Sequence, residues 1–161
     1  MKVPAWLQRR DGLIIMCFVA IVTLAILSFL FLNRPVPFVI VAEGEMGGGK
    51  GRVPIMLAIR GDDPNRTVPD GLPDKAKTAL QEILAKSDPS LYAIIYVGLQ
   101  DGTGHRLRIN SIRVRRGLWG EELVVQYSMD RPSPETVMTH PFVIARVDTN
   151  MRATDVVFER Q

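Results

Sequence analysis

Residues 12 to 32, GLIIMCFVAIVTLAILSFLFL, form an uncharged run of 21 residues near the start of the chain. As a helix this run is about 31 Å long, close to the thickness of a bilayer's hydrocarbon core. Fourteen of the 21 are Leu, Ile, Val or Phe. Each favours insertion at the helix centre by roughly 0.3–0.6 kcal/mol. Thr23 and Ser28 can bond back to carbonyls of their own helix. Asp11 on one side and Asn33-Arg34-Pro35 on the other suit the water boundary, and Pro35 and Pro37 prevent the helix continuing. The pattern predicts a transmembrane helix over 12–32, with the lipid bilayer as its partner. A buried core helix is the first alternative, but core helices are seldom apolar on all sides for this length. A cleaved signal peptide is the second, but LNRPVP after the run offers no small-x-small cleavage site. Cys17 is the only cysteine, which excludes a disulfide framework. Bulky Met16 before it and the long apolar stretch after it argue against lipid attachment.

Orientation follows from the flanking charge. Lys2, Arg9 and Arg10 precede the run and only Arg34 lies close behind it. Positive residues stay on the cytoplasmic side. The expectation is a single-pass cell-membrane protein with residues 1–11 as a cytoplasmic tail and the C-terminal part outside the cytoplasm. Trp6 suits the interface as an anchor. Residues 33–52 carry Pro35, Pro37 and glycines at 44, 47, 48, 49 and 51, which reads as a tether that includes a short strand over 38–42. Gly44 to Gly51, GEMGGGKG, fits the GxxxxGK spacing of a phosphate-binding loop. It fails at the next position, where Gly51 replaces the Ser or Thr that would hold magnesium, and Pro54 opens a strand-like RVPIMLAIR instead of a helix. A flexible loop is the better reading.

Residues 53–161 form the predicted extracytoplasmic domain. Val53 to Ile59 is a strand candidate, and Gly61 to Pro73 a polar loop. That loop contains the Asn65-Arg66-Thr67 sequon, a triplet common by chance. Asp74 to Lys86 places Ala76, Ala79, Leu80, Ile83 and Leu84 on one stripe and predicts a helix whose apolar face enters the core. Glu82 and Lys86 are spaced for a pair. From Leu91 the period becomes two. LYAIIYV (91–97) predicts a central strand and Gly98 to Gly104 a turn. Arg106 to Arg115 alternates, then changes parity at Asn110-Ser111, as a β-bulge would. Gly117 to Gly120 predicts a turn, Glu122 to Ser128 a hairpin partner with Leu123 and Val125 on one face, and Arg131 to Glu135 a loop. Phe142 to Val147 and Thr154 to Phe158 complete the strands. The expected fold class is mostly β: an antiparallel β-sandwich or barrel-like sheet with one packed helix, preceded by one N-terminal transmembrane helix.

Tyr92 to about Val147 resembles the C-terminal domain of the PrcB-type protease-complex-subunit family. The features that carry the resemblance are YAIIYVG, the turn and strand DGTGHRLRINSI, the valine-rich LVVQY, the proline loop DRPSPE and the entry His140-Pro141-Phe142. The chain departs from the family where Thr103-Gly104-His105 replaces Gly-Gly-Tyr and where His140 replaces a tyrosine, so a partner surface built on those aromatics is altered here. The resemblance implies a small β-rich extracytoplasmic domain that accompanies or stabilises another protein and has no catalysis of its own.

The residues themselves give little support to an enzyme. His105 and His140 lie in no nucleophile elbow, and their spacing with Asp101 or Asp130 supports no metal site. Asp62-Asp63 and Glu121-Glu122 read as solvated carboxylates. Cys17 with two histidines cannot make a structural zinc site. No catalytic residue, metal or small-molecule cofactor is expected. The basic row Arg106, Arg108, Arg113, Arg115 and Arg116 has two readings: a protective charged sheet face, or a surface for an anionic partner. Residues 33–161 carry 17 basic and 16 acidic side chains, too even a balance for nucleic acid. The leading expectation is a membrane-anchored, non-catalytic interaction module that binds or stabilises a protein partner, such as a protease or envelope complex. Its partner-contact residues are Arg106, Arg108, Arg113, Arg115, His105, His140 and Phe142. The alternatives are a tethered binder of anionic cell-envelope polymers through the basic strand face, and a hydrolase using His105 or His140.

Overall fold

The apolar segment Leu91–Tyr96 is buried at every position, although alternation in a strand gives it two faces. Both faces are covered, and the architecture follows from that. The computed structural model describes residues 5–45, 51–103, 105–117, 120–130 and 133–161, with side chains except at 5–12, 29–32, 101–103, 117 and 133–137. The chain divides into two units, Met1–Arg34 and Pro35–Gln161.

The first unit is dominated by helix α1 (Ala5–Leu32). It begins at Ala5, before the uncharged run that opens at Gly12. Ala5, Leu7, Gln8, Arg9 and Arg10 are good helix formers with no breaker among them. Its described side chains, residues 13 to 28, are all exposed, and Leu13, Ile14, Ile15, Met16, Phe18 and Leu24 are each more than half accessible. Among the described residues no helix is long and apolar enough to cross a membrane.

The short strand β1 (Asn33–Pro35) leads into the second unit, which runs β2 (Phe38–Gly44), β3 (Ile55–Arg60), α2 (Asp74–Ala85), β4 (Leu91–Tyr96), β5 (Gln100–Thr103), β6 (Leu107–Gly117), β7 (Gly120–Met129), β8 (Ser133–Thr139), β9 (Phe142–Val147), a 3-10 turn (Ala153–Asp155) and β10 (Val156–Arg160). One sheet has the order β2-β9-β4-β3 and is antiparallel throughout. In the other, β7 lies between β6 and β10. A third pairs β5 with β8.

The two larger sheets enclose one core: Leu91, Ala93 and Ile95 of β4 and Val143, Ala145 and Val147 of β9 face Leu107 and Ile112 of β6 and Leu123, Val125 and Tyr127 of β7. The other face of β4 and β9 packs against α2. There Ala76, Leu80 and Leu84 meet Tyr92, Ile94, Tyr96, Phe142 and Ile144. Successive residues of β4 therefore enter two different cores, which explains why no polar residue interrupts it. The α2 stripe is buried as its spacing predicts. Arg66, from the preceding loop, donates to the Leu84 carbonyl at 2.6 Å and the Ser87 hydroxyl at 3.3 Å, supplying donors that the helix end lacks. Gly98 closes β4 with φ 82°, and a Cβ there would stand 2.7 Å from the Arg52 carbonyl oxygen, so only glycine fits both the dihedral and the space.

The bulge is where the alternation places it: pairing passes from Ile109↔Tyr127 to Ser111↔Gln126, leaving Asn110 without a partner residue. Several boundaries differ from expectation. The second unit begins at Pro35, not residue 53, because β2 is a full member of the sheet beside β9, not part of a tether. The predicted turn over 98–104 contains β5, and the predicted loop over 131–135 runs into β8; each supplies the other's ladder, which neither local sequence shows. The last strand starts at Val156, and it pairs with β7 in parallel, so the sheets are not wholly antiparallel. Residues 46–50 of the glycine-rich segment and Leu118-Trp119 of the predicted turn lie outside the described residues. After Gly51 the chain forms strand β3.

Candidate functional site

The first part of the site is the end of β2. Gly44 sits opposite Phe142 of β9. A Cβ on Gly44 would come within 2.9 Å of the Phe142 ring, so the missing side chain lets the ring lie against β2. Just beyond, the Glu45 carbonyl accepts the His140 backbone N–H at 2.7 Å, which ties the end of β2 to the segment entering β9. The second part is the start of β6. Leu107 and Arg108 open that strand, and Asp130 donates its backbone N–H to the Arg106 carbonyl at 3.1 Å.

Between these two segments lies a recess of about 460 Å³. Glu43 and Glu45, at and just beyond the end of β2, and Arg106 and Arg108, at the approach to and start of β6, line it together with Gly44, His105, Leu107 and Phe142. His105, Leu107 and Phe142 are 4%, 6% and 1% exposed, so their contribution is to the floor and walls. Arg108 reaches Asp130 at 3.3 Å, both half-exposed. The recess thus brings carboxylates and guanidinium groups together with buried aromatic and aliphatic side chains. Among the described residues that line it, none is a hydroxyl or thiol nucleophile. It can hold a ligand by charge and apolar contact.

Four of the expected contact residues, His105, Arg106, Arg108 and Phe142, therefore meet in one place. His105 and Phe142 are buried and also line the recess. His140 has another role. Its Nδ1 lies 2.8 Å from the Tyr96 hydroxyl. The Tyr96 hydroxyl donates its one proton to the Gly51 carbonyl. The tautomer assigned by that chain of bonds has the proton on Nδ1, donated to the tyrosine oxygen. The rings are stacked, with centroids 6.1 Å apart. Burial pushes the Tyr96 phenol above its ordinary value. The pair fastens residue 51 beside the sheet.

Arg113, Arg115 and Arg116 lie further along β6, outside the recess. Arg115 binds Glu122 and Glu159, each at 2.8 Å, and Arg116 binds Glu121 at 2.5 Å. The bonds to the two glutamates raise the Arg115 guanidinium's affinity for its proton. Glu159 is held below the ordinary carboxylate range by the hydrogen bond from Gln126 and then by that from Arg115. The basic row thus carries mixed charge: Arg115 and Arg116 are held by carboxylates of β7 and β10, and Arg108 by Asp130. The same register that aligns β6 with β7 produces this.

Sequence reasoning missed Glu43 and Glu45. Their signal was the i, i+2 spacing at the end of an apolar strand, which can place two carboxylates on one side. Among the described residues no group of three or more His, Cys, Asp or Glu gathers as a metal ion needs. Against known proteins, no family model matches this chain, and no curated protein or solved structure matches it.

Proposed function

We propose that this chain is a membrane-anchored, non-catalytic interaction module that displays its β-rich unit outside the cytoplasm and there binds or stabilises a protein partner. The observation that carries the reading is the recess lined by Glu43, Glu45, Arg106 and Arg108 together with the buried Leu107 and Phe142. Charges of opposite sign in one recess select the orientation of what enters, and the apolar side chains supply the burial that holds it. The anchor rests on α1, whose described side chains expose large apolar residues on every side. Such a surface needs lipid or protein cover. The uncharged run of 21 residues and the charge of Lys2, Arg9 and Arg10 supply length and orientation. The resemblance to the PrcB-type family suggests a protease or envelope complex as the partner. The polymer-binding alternative is weakened by the ion pairs that occupy Arg108, Arg115 and Arg116.

The test is site-specific crosslinking in intact membranes. A photoreactive residue at Arg106 is expected to capture one protein that the same probe at Arg160, on β10, does not. The charge reversal Glu45→Arg, read with the probe at Arg106, is expected to abolish the capture. Equal capture from both positions, or capture indifferent to the reversal, would rule out the recess as the contact. Release of the chain by alkaline carbonate would rule out the anchor.

A further inference from the structure

The charges that line the recess are not equally engaged. Arg108 is held by Asp130 at 3.3 Å. Further along β6, Arg115 and Arg116 are closed by carboxylates of neighbouring strands. Glu43, Glu45 and Arg106 differ: among the described residues their side chains make no ion pair and no hydrogen bond. Two unengaged carboxylates therefore share the recess with one unengaged guanidinium, and the surplus is negative. Lys75 of α2 comes near, its Nζ 3.5 Å from the place a Cβ on Gly44 would take, but it does not line the recess and pairs with neither glutamate. Glu43 is exposed and Glu45 half-buried, so both are open to an incoming group. Leu107 and Phe142 add an apolar lining. A lysine or arginine side chain matches both features, with an aliphatic stem for the lining and a cationic head for the carboxylates.

We infer that the recess takes an extended segment of the partner protein through one lysine or arginine side chain, whose head pairs with Glu43 and Glu45 and whose stem lies along Leu107 and Phe142. This rests on the proposed interaction role and adds the chemistry of what enters. The volume of about 460 Å³ lies toward the lower end of ligand pockets, roughly 300–1,000 Å³, which suits a side chain with its flanking backbone and not a folded surface. Arg106 limits the charge of the segment. A second cation beside the first would meet its guanidinium, so the basic residue has neutral or acidic neighbours. Selection then comes from rejection as well as attraction.

The test uses the full chain in an uncharged detergent and three fluorescent peptides, acetyl-Ala-Leu-X-Ala-Ala-amide with lysine, norleucine or glutamate at X, read by anisotropy. The lysine peptide is expected to bind with a Kd of about 1 mM or tighter, and roughly tenfold or more tighter than the other two. Its advantage is expected to shrink as salt rises. Glu43→Gln with Glu45→Gln is expected to erase that advantage, whereas Glu82→Gln, an exposed carboxylate on α2, keeps it. Arg106→Gln is expected to tighten the lysine peptide, because a like charge is removed. A melting midpoint for each variant shows that it is folded. Equal binding of the three peptides, binding of none, or an advantage that survives the double substitution overturns the inference. Capture by the probe at Arg106 without any lysine preference overturns this inference alone. A lysine preference with no captured protein overturns the interaction role alone.

Discussion

Deleting Asn110 tests whether the bulge in β6 is a correction of register or a structural necessity. The inward residues are Leu107 and Ile109 before it and Ile112 and Val114 after it. Removing Asn110 leaves Leu-Arg-Ile-Ser-Ile-Arg-Val, which alternates without a break, so both apolar sets keep their face. The losses are the bonds of its exposed side chain, donated to the Gln161 side chain at 2.8 Å and accepted from the Ser128 hydroxyl at 3.0 Å. The expected cost is about 1–2 kcal/mol. Deleting Arg113 brings Ile112 and Val114 together, and one must turn outward. The least damaging solution dissolves the bulge, exposes Ile112, which is 1% accessible, and turns Ser111 inward, away from Gln126. Expelling Ile112 costs about 1.5–3 kcal/mol, and an unsatisfied buried hydroxyl about 1–3 more. Urea denaturation of both variants, followed by circular dichroism, is expected to give a loss for the Arg113 deletion at least twice that of the Asn110 deletion. Equal losses, or a larger loss on removing Asn110, would refute the alternation argument.

Other expectations follow from single contacts. Leu80→Ala, at a fully buried position between α2 and the sheet, is expected to cost about 2–5 kcal/mol by denaturant midpoint. Gly44→Ala forces the buried Phe142 ring to shift, so it is expected to destabilise by roughly 1–3 kcal/mol in the same assay. Asp88 is held below the ordinary carboxylate range by bonds from the Ser90 hydroxyl, the Tyr92 phenol and the Ser90 N–H. Its contribution is present above the unfolded-state pKa and lost as pH falls through the lower folded value. Asp88→Asn is therefore expected to flatten the acid side of the stability profile. Tyr92, pushed up to about 12 by burial and then by Asp88, favours the neutral phenol in the folded state. Its contribution is complete below the unfolded pKa near 10 and fades as pH rises toward about 12. Tyr92→Phe is expected to remove that slope, read by ultraviolet difference titration.

Local pattern made much of this architecture readable, and the exceptions share a cause. The α2 stripe, the β4 run, the β6 parity change and the bounds of β9 are periodic signals within one segment, and each element forms where its period places it. β5 and β8 have no such period. They exist because Gln100 and Asp101 find Thr139 and Met138 across more than thirty residues of chain, and a pairing partner cannot be read from either strand alone. The strand over 38–42 was legible in the sequence, but its place in the sheet was not: the prolines before it and the glycines after it resemble those of a linker until β9 is seen beside it.

The functional residues divide along the same line. A row of arginines is visible in sequence, but its electrostatic meaning depends on what stands across the ladder. Arg115 looks like a free cation until Glu122 from the neighbouring strand and Glu159 from the next bring carboxylates to it. Arg106, just before β6, instead lines an open recess together with Glu43 of β2 and Glu45 beyond it. Charge that is neutralised within the sheet maintains register and solubility, whereas charge lining an open recess can meet a ligand. A double replacement therefore separates the two. Arg115→Ala with Arg113→Ala is expected to leave partner capture at position 106 intact. Glu43→Ala with Glu45→Ala, which removes both carboxylates lining the recess, is expected to reduce that capture, and the opposite ranking would move the contact surface back onto the strand face.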